Sequence, residues 1–231
     1  MDSKFKYILF DLDRTLWDFD TNARNNISRL LLKYNLNIED HSQFYKLYDK
    51  INHILWSAYE KGEISKDFLR GERFYRTFLE YNIDNRELSE VFGEEYLDTM
   101  PEQTVLMPGA YELLSKLYDK GVKMAIISNG FKEVQYRKLM NSGISRFFKA
   151  VIISEEVGFH KPSPLIFKAA LEALNAEKER TLMVGDDIAN DIEGAQIFGI
   201  KQYFYNYKGV NCEAGPTYES DTLSGILELT E

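Results

Sequence analysis

Short apolar runs that end in small or polar residues most constrain the fold of this chain. Tyr7 to Phe10 ends at Asp11, and Val122 to Ser128, Ala150 to Ser154 and Thr181 to Gly185 repeat the pattern, with a weaker run at Lys201 to Tyr205. Apolar runs of this length, cut off by turn-forming residues, read as buried strands. Amphipathic helical patterns lie between them. Ala110, Leu113, Leu114 and Leu117 follow the i, i+3, i+4, i+7 spacing, and Gly121 stands where a helix would end. Phe167, Ala170, Leu171 and Leu174 lie on one helical stripe, after a Ser163-Pro164 helix start. Continuous apolar strands alternating with such helices predict an α/β fold. The expected core is a doubly wound, Rossmann-like parallel sheet covered on both faces.

The stretch from about Trp17 to Met100 reads differently. It has no convincing strand and is rich in charges and aromatics. Breaks at Asn35-Leu36-Asn37, Gly62 and Asn82 divide it into about four helices, with Ser65 as one N-cap. The expected organisation is therefore a catalytic-type core of residues 1–16 and 103–231, interrupted by a helical cap at 17–102. Pro101 and Pro108-Gly109 bracket the return to the core.

Composition narrows the function classes. The 231 residues carry 28 Lys+Arg against 37 Asp+Glu, a net charge of −9, and 44 % are hydrophobic. That mix suits a globular chain of one to two domains and lacks the basic footprint of a nucleic-acid polymer binder. No run approaches the roughly 18 apolar residues of a membrane span. Tyr7 to Phe10 is too short for the apolar part of a signal peptide. Cys212 is the single cysteine, so no intrachain disulfide forms and a reducing, cytoplasmic setting is expected.

Four short motifs carry the chemistry. In Asp11-Leu12-Asp13-Arg14-Thr15, two acids two residues apart on an extended segment point to one side. They repel, so they share either a cation or a proton. A carboxylate can attack phosphorus, and a neighbouring acid can protonate the leaving oxygen and later deprotonate water. Ser128-Asn129-Gly130 follows a strand, and a hydroxyl with backbone N–H groups there can bind phosphate. His160-Lys161-Pro162 places a cation before a helix, and no partner for His160 is evident in the sequence. Gly185-Asp186-Asp187-Ile188-Ala189-Asn190-Asp191 gathers three acids after a strand, an oxygen-rich set that suits Mg²⁺. Taken singly, each motif reads more simply as a turn, a surface lysine or a helix cap. Together they fall at the C-terminal ends of predicted parallel strands, the edge where open α/β sheets bind ligands.

With these residues the chain resembles the haloacid dehalogenase superfamily of phosphohydrolases over essentially its whole length. Asp11, Asp13 and Thr15 match the first motif, Ser128 the second, Lys161 the third, and Gly185, Asp186 and Asp191 the fourth. The helical block sits where that family inserts its cap. The resemblance implies that Asp11 is the nucleophile and a Mg²⁺ ligand. It makes Asp13 the general acid/base, binding Mg²⁺ through its carbonyl oxygen, and Asp186 the other protein ligand. Asp191 and Asp187 would support the metal from behind. Lys161 and Ser128 would hold the phosphoryl group, with Thr15 and Asn129 also at the substrate. Family members that remove halide from carbon lack an acid at the position of Asp13, so phosphoester chemistry is implied.

Phe10 to Phe19-Asp20, Leu55-Trp56 with Tyr59 to Ser65, Ser128 to Phe131 and Ile153 to Gly158 are similar to the pyrimidine 5′-nucleotidase branch. A nucleoside monophosphate is therefore the implied partner. His160 departs from the small residue expected before the lysine. Trp17, Phe19, Trp56 and Tyr59 are candidates for stacking on a base, each stack contributing about 1–3 kcal/mol. Trp17 and Phe19 lie nearest the core junction; the other ring residues are expected to fill the cap. Cap closure on hinges near 16–20 and 100–104 would exclude water. A sugar-phosphate phosphatase or mutase, a non-catalytic binding protein and an interaction module on the cap stay open at this stage, as does monomer against homodimer.

Overall fold

A computed structural model describes residues 5–230. In chain order the first elements are β1 (Tyr7–Phe10), α1 (Phe19–Lys33), α2 (His41–Glu60), α3 (Lys66–Leu79) and α4 (Arg86–Thr99). Then come α5 (Ala110–Asp119), β2 (Lys123–Ser128), α6 (Lys132–Asn141), β3 (Phe148–Ile153), the single turn α7 (Ser154–Val157) and α8 (Pro164–Leu174). The chain continues through β4 (Thr181–Gly185), a π-helical turn (Ile188–Glu193), α9 (Gly194–Phe198), β5 (Lys201–Tyr205) and β6 (Tyr218–Ser220). These elements form two compact units, residues 5–19 with 104–230, and Asp20–Gln103. No described helix is long and apolar enough to cross a membrane.

The first unit is built on a six-stranded sheet in the order β3-β2-β1-β4-β5-β6, with every neighbouring pair parallel. The chain moves outward from β1 to β3 and then resumes beside β1 with β4. That reversal sets the ends of β1, β2 and β4 side by side on one edge, where an open sheet of this kind leaves a crevice. Ile8, Leu9 and Phe10 are fully buried. Leu9, Ala125, Ile127 and Met183 share a cluster with Ile166, Phe167 and Ala170 of α8. The alternate residues Ile8, Phe10, Met124, Ile126, Leu182 and Val184 are also fully buried, so both faces of the central strands lie out of water. Each such aliphatic side chain contributes about 1.5–3 kcal/mol.

Helix boundaries follow their caps. Ser163 Oγ accepts from the Leu165 N–H, Pro164 begins α8, and Asn175 ends it in a left-handed conformation. Two expectations shift. The third strand runs from Phe148 to Ile153, because Phe148 pairs with Met124 across a register shift and Ser154 already begins a helical turn. Strand β6 was not foreseen. Its three residues, Tyr-Glu-Ser, have no apolar run and are set by pairing of Tyr218 with Tyr203.

The second unit holds the helical run from Asp20 through α4. Ser65 caps α3 by accepting from the Phe68 N–H, and Asp40 and Asn85 do the same for α2 and α4. The core of this unit is aromatic. The Phe74 ring lies 4.9 Å from Tyr48, 4.8 Å from Phe92 and 5.1 Å from Tyr96. Trp56 and Tyr59 are half-buried and pack edge-to-face on each other at 5.6 Å. Phe74→Ala removes the ring that joins α2, α3 and α4. It should destabilise this unit by about 3–5 kcal/mol, read as a lower urea midpoint in the full-length chain.

Candidate active site

The turn after β1 carries the first two acids. The Asp11 N–H donates to Val184 O at 2.9 Å, extending the ladder to β4 by one residue beyond the strand. The chain then folds back tightly: the Leu16 and Trp17 N–H groups both donate to Leu12 O, and the Arg14 N–H donates to Trp17 O. This reversal needs a left-handed residue, and Arg14 supplies it at φ 65°. Thr15 is fully buried, and its hydroxyl donates to Asp186 Oδ1 at 3.2 Å. The structure thus ties Thr15 to the fourth motif.

Lys161 joins three segments. Its Nζ lies 2.6 Å from Asp11 Oδ1 and 2.6 Å from Asp191 Oδ1, and its side chain is only 3 % exposed. Burial works against its charge, but Asp11 and Asp191 outweigh that and raise its pKa. Asn129 holds the lysine backbone: its Nδ2 donates to Lys161 O at 3.0 Å, and its Oδ1 accepts from the Lys161 N–H at 2.7 Å. Both ends of the Asn129 amide therefore position Lys161. That is a different use from the substrate contact expected of this side chain.

Ser128 ends β2, and its Oγ accepts from Gln135 Nε2 at 2.7 Å and from the Gly130 N–H at 3.1 Å. A hydroxyl has two acceptor sites and one donor. With both acceptor sites in use, the O–H is left to donate, which suits an anionic oxygen. A Cβ on Gly130 would run into the Gln135 side chain, so a larger residue here would have to push that amide aside.

The fourth motif supplies the other acids. Asp11, Asp186 and Asp191 each offer a carboxylate oxygen, all within 4.8 Å of one another. Burial, followed by the charge of Asp11, pushes the Asp186 pKa up to about 7. Burial also raises the pKa values of Asp11 and Asp191, against the pull of Lys161. Three carboxylates, two of them buried, facing one ammonium leave excess negative charge. A hard, oxygen-seeking cation such as Mg²⁺ fits such a site. Asp191 is already engaged on both oxygens, with Lys161 on Oδ1 and the Asp187 N–H on Oδ2. The Asp187 carboxylate accepts from the Asn190 N–H and caps the π-helical turn. A Cβ on Gly185 would collide with the Asp191 carboxylate, which is why the turn opens on glycine.

Asp13 has partners that the sequence reading missed. Its Oδ1 lies 2.6 Å from Lys138 Nζ and its Oδ2 accepts from Gln135 Nε2 at 2.9 Å. Both donors stand on α6 and both are buried. The available signal was polar residues on the inward stripe of α6, beside Val134 and Leu139. Burial lowers the Lys138 pKa, and Asp13 opposes that.

Trp17 is fully buried, and its ring carries the Lys138 ammonium 4.2 Å from the centroid. It packs on a protein cation, so the expected stacking of Trp17 on a base is not what the structure shows. Phe19 lies 5.4 Å from the same ammonium and also meets the Arg14 guanidinium at 4.6 Å. His160 is partly exposed, and its carbonyl accepts from the Ser163 N–H.

The arrangement agrees with comparison to known proteins. Residues 5–199 match the model of a hydrolase family, the haloacid dehalogenase-like hydrolases. The chain belongs to this family. It is a phosphatase within it, a phosphoric monoester hydrolase. Pyrimidine 5′-nucleotidase YjjG of Escherichia coli is 34 % identical over 99 % of this chain and 97 % of its own. Pyrimidine 5′-nucleotidase PynA of Streptococcus pneumoniae is 30 % identical over 98 % of this chain and 95 % of its own. The crystal structure of the HAD-hydrolase YfnB from Bacillus subtilis, bound to magnesium, superposes with a TM-score of 0.89 at 28 % identity. That match covers 98 % of this chain and 99 % of YfnB.

The raised pKa of Asp186, about 7, means that the folded, metal-free protein pays for ionising it. That cost grows from the ordinary carboxylate range up to about pH 7 and is constant above. Asp186→Asn should therefore raise the Tm in EDTA by an amount that grows between about pH 4 and pH 7. Thermal unfolding of both proteins across that range checks it.

Proposed function

We propose that this phosphatase hydrolyses nucleoside 5′-monophosphates, with pyrimidine ones preferred, through an aspartyl-phosphate on Asp11. The observation that carries the chemistry is a buried Asp11 held by Lys161 at 2.6 Å, with a second acid, Asp13, from the same turn. Near full-length similarity to two pyrimidine 5′-nucleotidases supports the substrate class.

In the first step Asp11 attacks phosphorus and the bond from phosphorus to the 5′-oxygen breaks. Asp13 gives that oxygen its proton, so a neutral nucleoside departs. In the second step Asp13 takes a proton from water, the water oxygen attacks phosphorus, and the bond to Asp11 breaks to release inorganic phosphate. Lys161 and the Ser128 hydroxyl hold the phosphoryl oxygens through both steps. Mg²⁺ held by Asp11, Asp186 and the Asp13 carbonyl would supply the positive charge that lets a phosphate dianion approach these acids. Thr15 fixes Asp186, Asn129 fixes Lys161, and Asp187 and Asp191 fix the turn that presents Asp186.

Phosphate release from a panel of nucleoside monophosphates and sugar phosphates, with and without Mg²⁺, tests this reading, with Asp11→Asn as the blank. Pyrimidine monophosphates should lead by more than tenfold in kcat/KM, about 1.4 kcal/mol of transition-state binding. Sugar phosphates in the lead would overturn the substrate assignment and leave the phosphatase chemistry standing. Turnover that survives Asp11→Asn would overturn the chemistry itself.

A further inference from the structure

Asp13 does not stand alone in its turn. Its two oxygens are held separately, Oδ1 by Lys138 Nζ at 2.6 Å and Oδ2 by Gln135 Nε2 at 2.9 Å. The two donors are three residues apart on α6, so they share a face of that helix. A carboxylate pinned at both oxygens has lost its rotation, and the direction in which it meets a ligand is fixed.

The two donors are themselves restrained. Gln135 is 1 % exposed, and the same Nε2 also donates to Ser128 Oγ at 2.7 Å. One amide therefore spans the phosphate-binding hydroxyl and the acid. Gly130 makes room for it, because any Cβ there would collide with the amide. Lys138 is 2 % exposed, and its ammonium rests on the rings of Trp17 and Phe19, 4.2 and 5.4 Å from their centroids. Those rings belong to the segment that follows Asp13. The lysine is thus gripped between the acid and the chain just beyond it, where a buried cation held by aromatic faces has few other places to go.

We infer that Gln135 and Lys138 are positioning residues for Asp13, aiming its carboxyl group at the leaving-group oxygen of a phosphate ester held by Ser128. The inference rests on the acid/base reading of Asp13 proposed above. It assigns a role to two residues outside the four motifs and gives Trp17 and Phe19 the task of seating Lys138.

The test uses the leaving group. A nucleoside 5′-oxygen needs a proton as it departs, whereas p-nitrophenolate leaves well without one. The quantity kcat/KM reports the steps through leaving-group departure, so it isolates this first half of the reaction. Lys138→Met and Gln135→Met are compared with the parent on uridine 5′-monophosphate and on p-nitrophenyl phosphate, each also in an Asp13→Asn background. Lys138→Met should lose at least tenfold in kcat/KM on the nucleotide and less than threefold on p-nitrophenyl phosphate. Gln135→Met, which also releases Ser128 Oγ, should lose on both esters but at least tenfold more on the nucleotide. In the Asp13→Asn background Lys138→Met should cause no further loss beyond twofold, and the extra nucleotide loss of Gln135→Met should vanish. Equal losses on the two esters, or losses that multiply with Asp13→Asn, would overturn the inference. The acid/base reading fails separately, if Asp13→Asn alone does not penalise the nucleotide more than p-nitrophenyl phosphate. Should Lys138→Met fail to fold, Gln135→Met carries the test, and Gln135→Glu provides a near-isosteric variant that lacks the donor and should show the same ester-selective loss.

Discussion

The ammonium of Lys161 holds the site together. It sits within 2.6 Å of acids from the turn after β1 and from the turn after β4, and its own backbone is clamped by Asn129 from the end of β2. Three strand ends are thereby referred to one point. A buried lysine is costly unless paired, and buried acids are costly unless paired. Each makes the other tolerable, and removing the lysine leaves two acids without their cation in a dry setting. The parallel sheet brings these groups to one edge, and the ion pairs fix their final positions.

Electrostatics explains why so acidic a chain can handle an anion. The net charge is −9, and three of the acids behind it are gathered at the site. Local groups must therefore reverse the sign where phosphate sits. On the proposed reading Lys161 and the outward-donating hydroxyl of Ser128 would do part of this, and the surplus of acid oxygen suits a divalent cation that would do the rest. The second acid, Asp13, has a different environment. Its carboxyl group is partly exposed, at 26 %, and its neighbours come from a helix rather than from the metal-type cluster. Two carboxylates two residues apart are in this way given separate surroundings.

Much of this was legible in the sequence because the chemistry sits where backbone patterns change. Apolar runs marked β1, β2 and β4, and the residue after each run was a candidate because a strand end is where a parallel sheet exposes its ligands. What escaped detection was of another kind. Gln135 and Lys138 lie within a helix, and a polar residue there reads as solvated until the packing shows that it faces inward. Asn129 was visible as part of a phosphate-type turn, but its hold on the Lys161 backbone depends on a contact 32 positions away in the chain. Trp17 looked like a ligand platform because aromatic rings near a site often are; only the position of Lys138 shows which face is occupied. Strand β6 has no apolar signature, since an edge strand of three residues is set by its neighbour.

The reversal after β1 also restricts which sequences the site tolerates. Arg14 holds a left-handed backbone, φ 65°, directly after the second acid of the first motif. Glycine or asparagine would adopt that conformation with less strain, and an unbranched side chain can be accommodated, but valine, isoleucine and threonine are opposed by their own Cβ substituents. The backbone therefore disfavours branching at Cβ, and the guanidinium adds a second demand, since it packs on Phe19 and lowers the cost of ionising Asp186. An inventory of tolerated substitutions at residue 14 would read out the shape of the turn in its Cβ branching and the field at Asp186 in its charge.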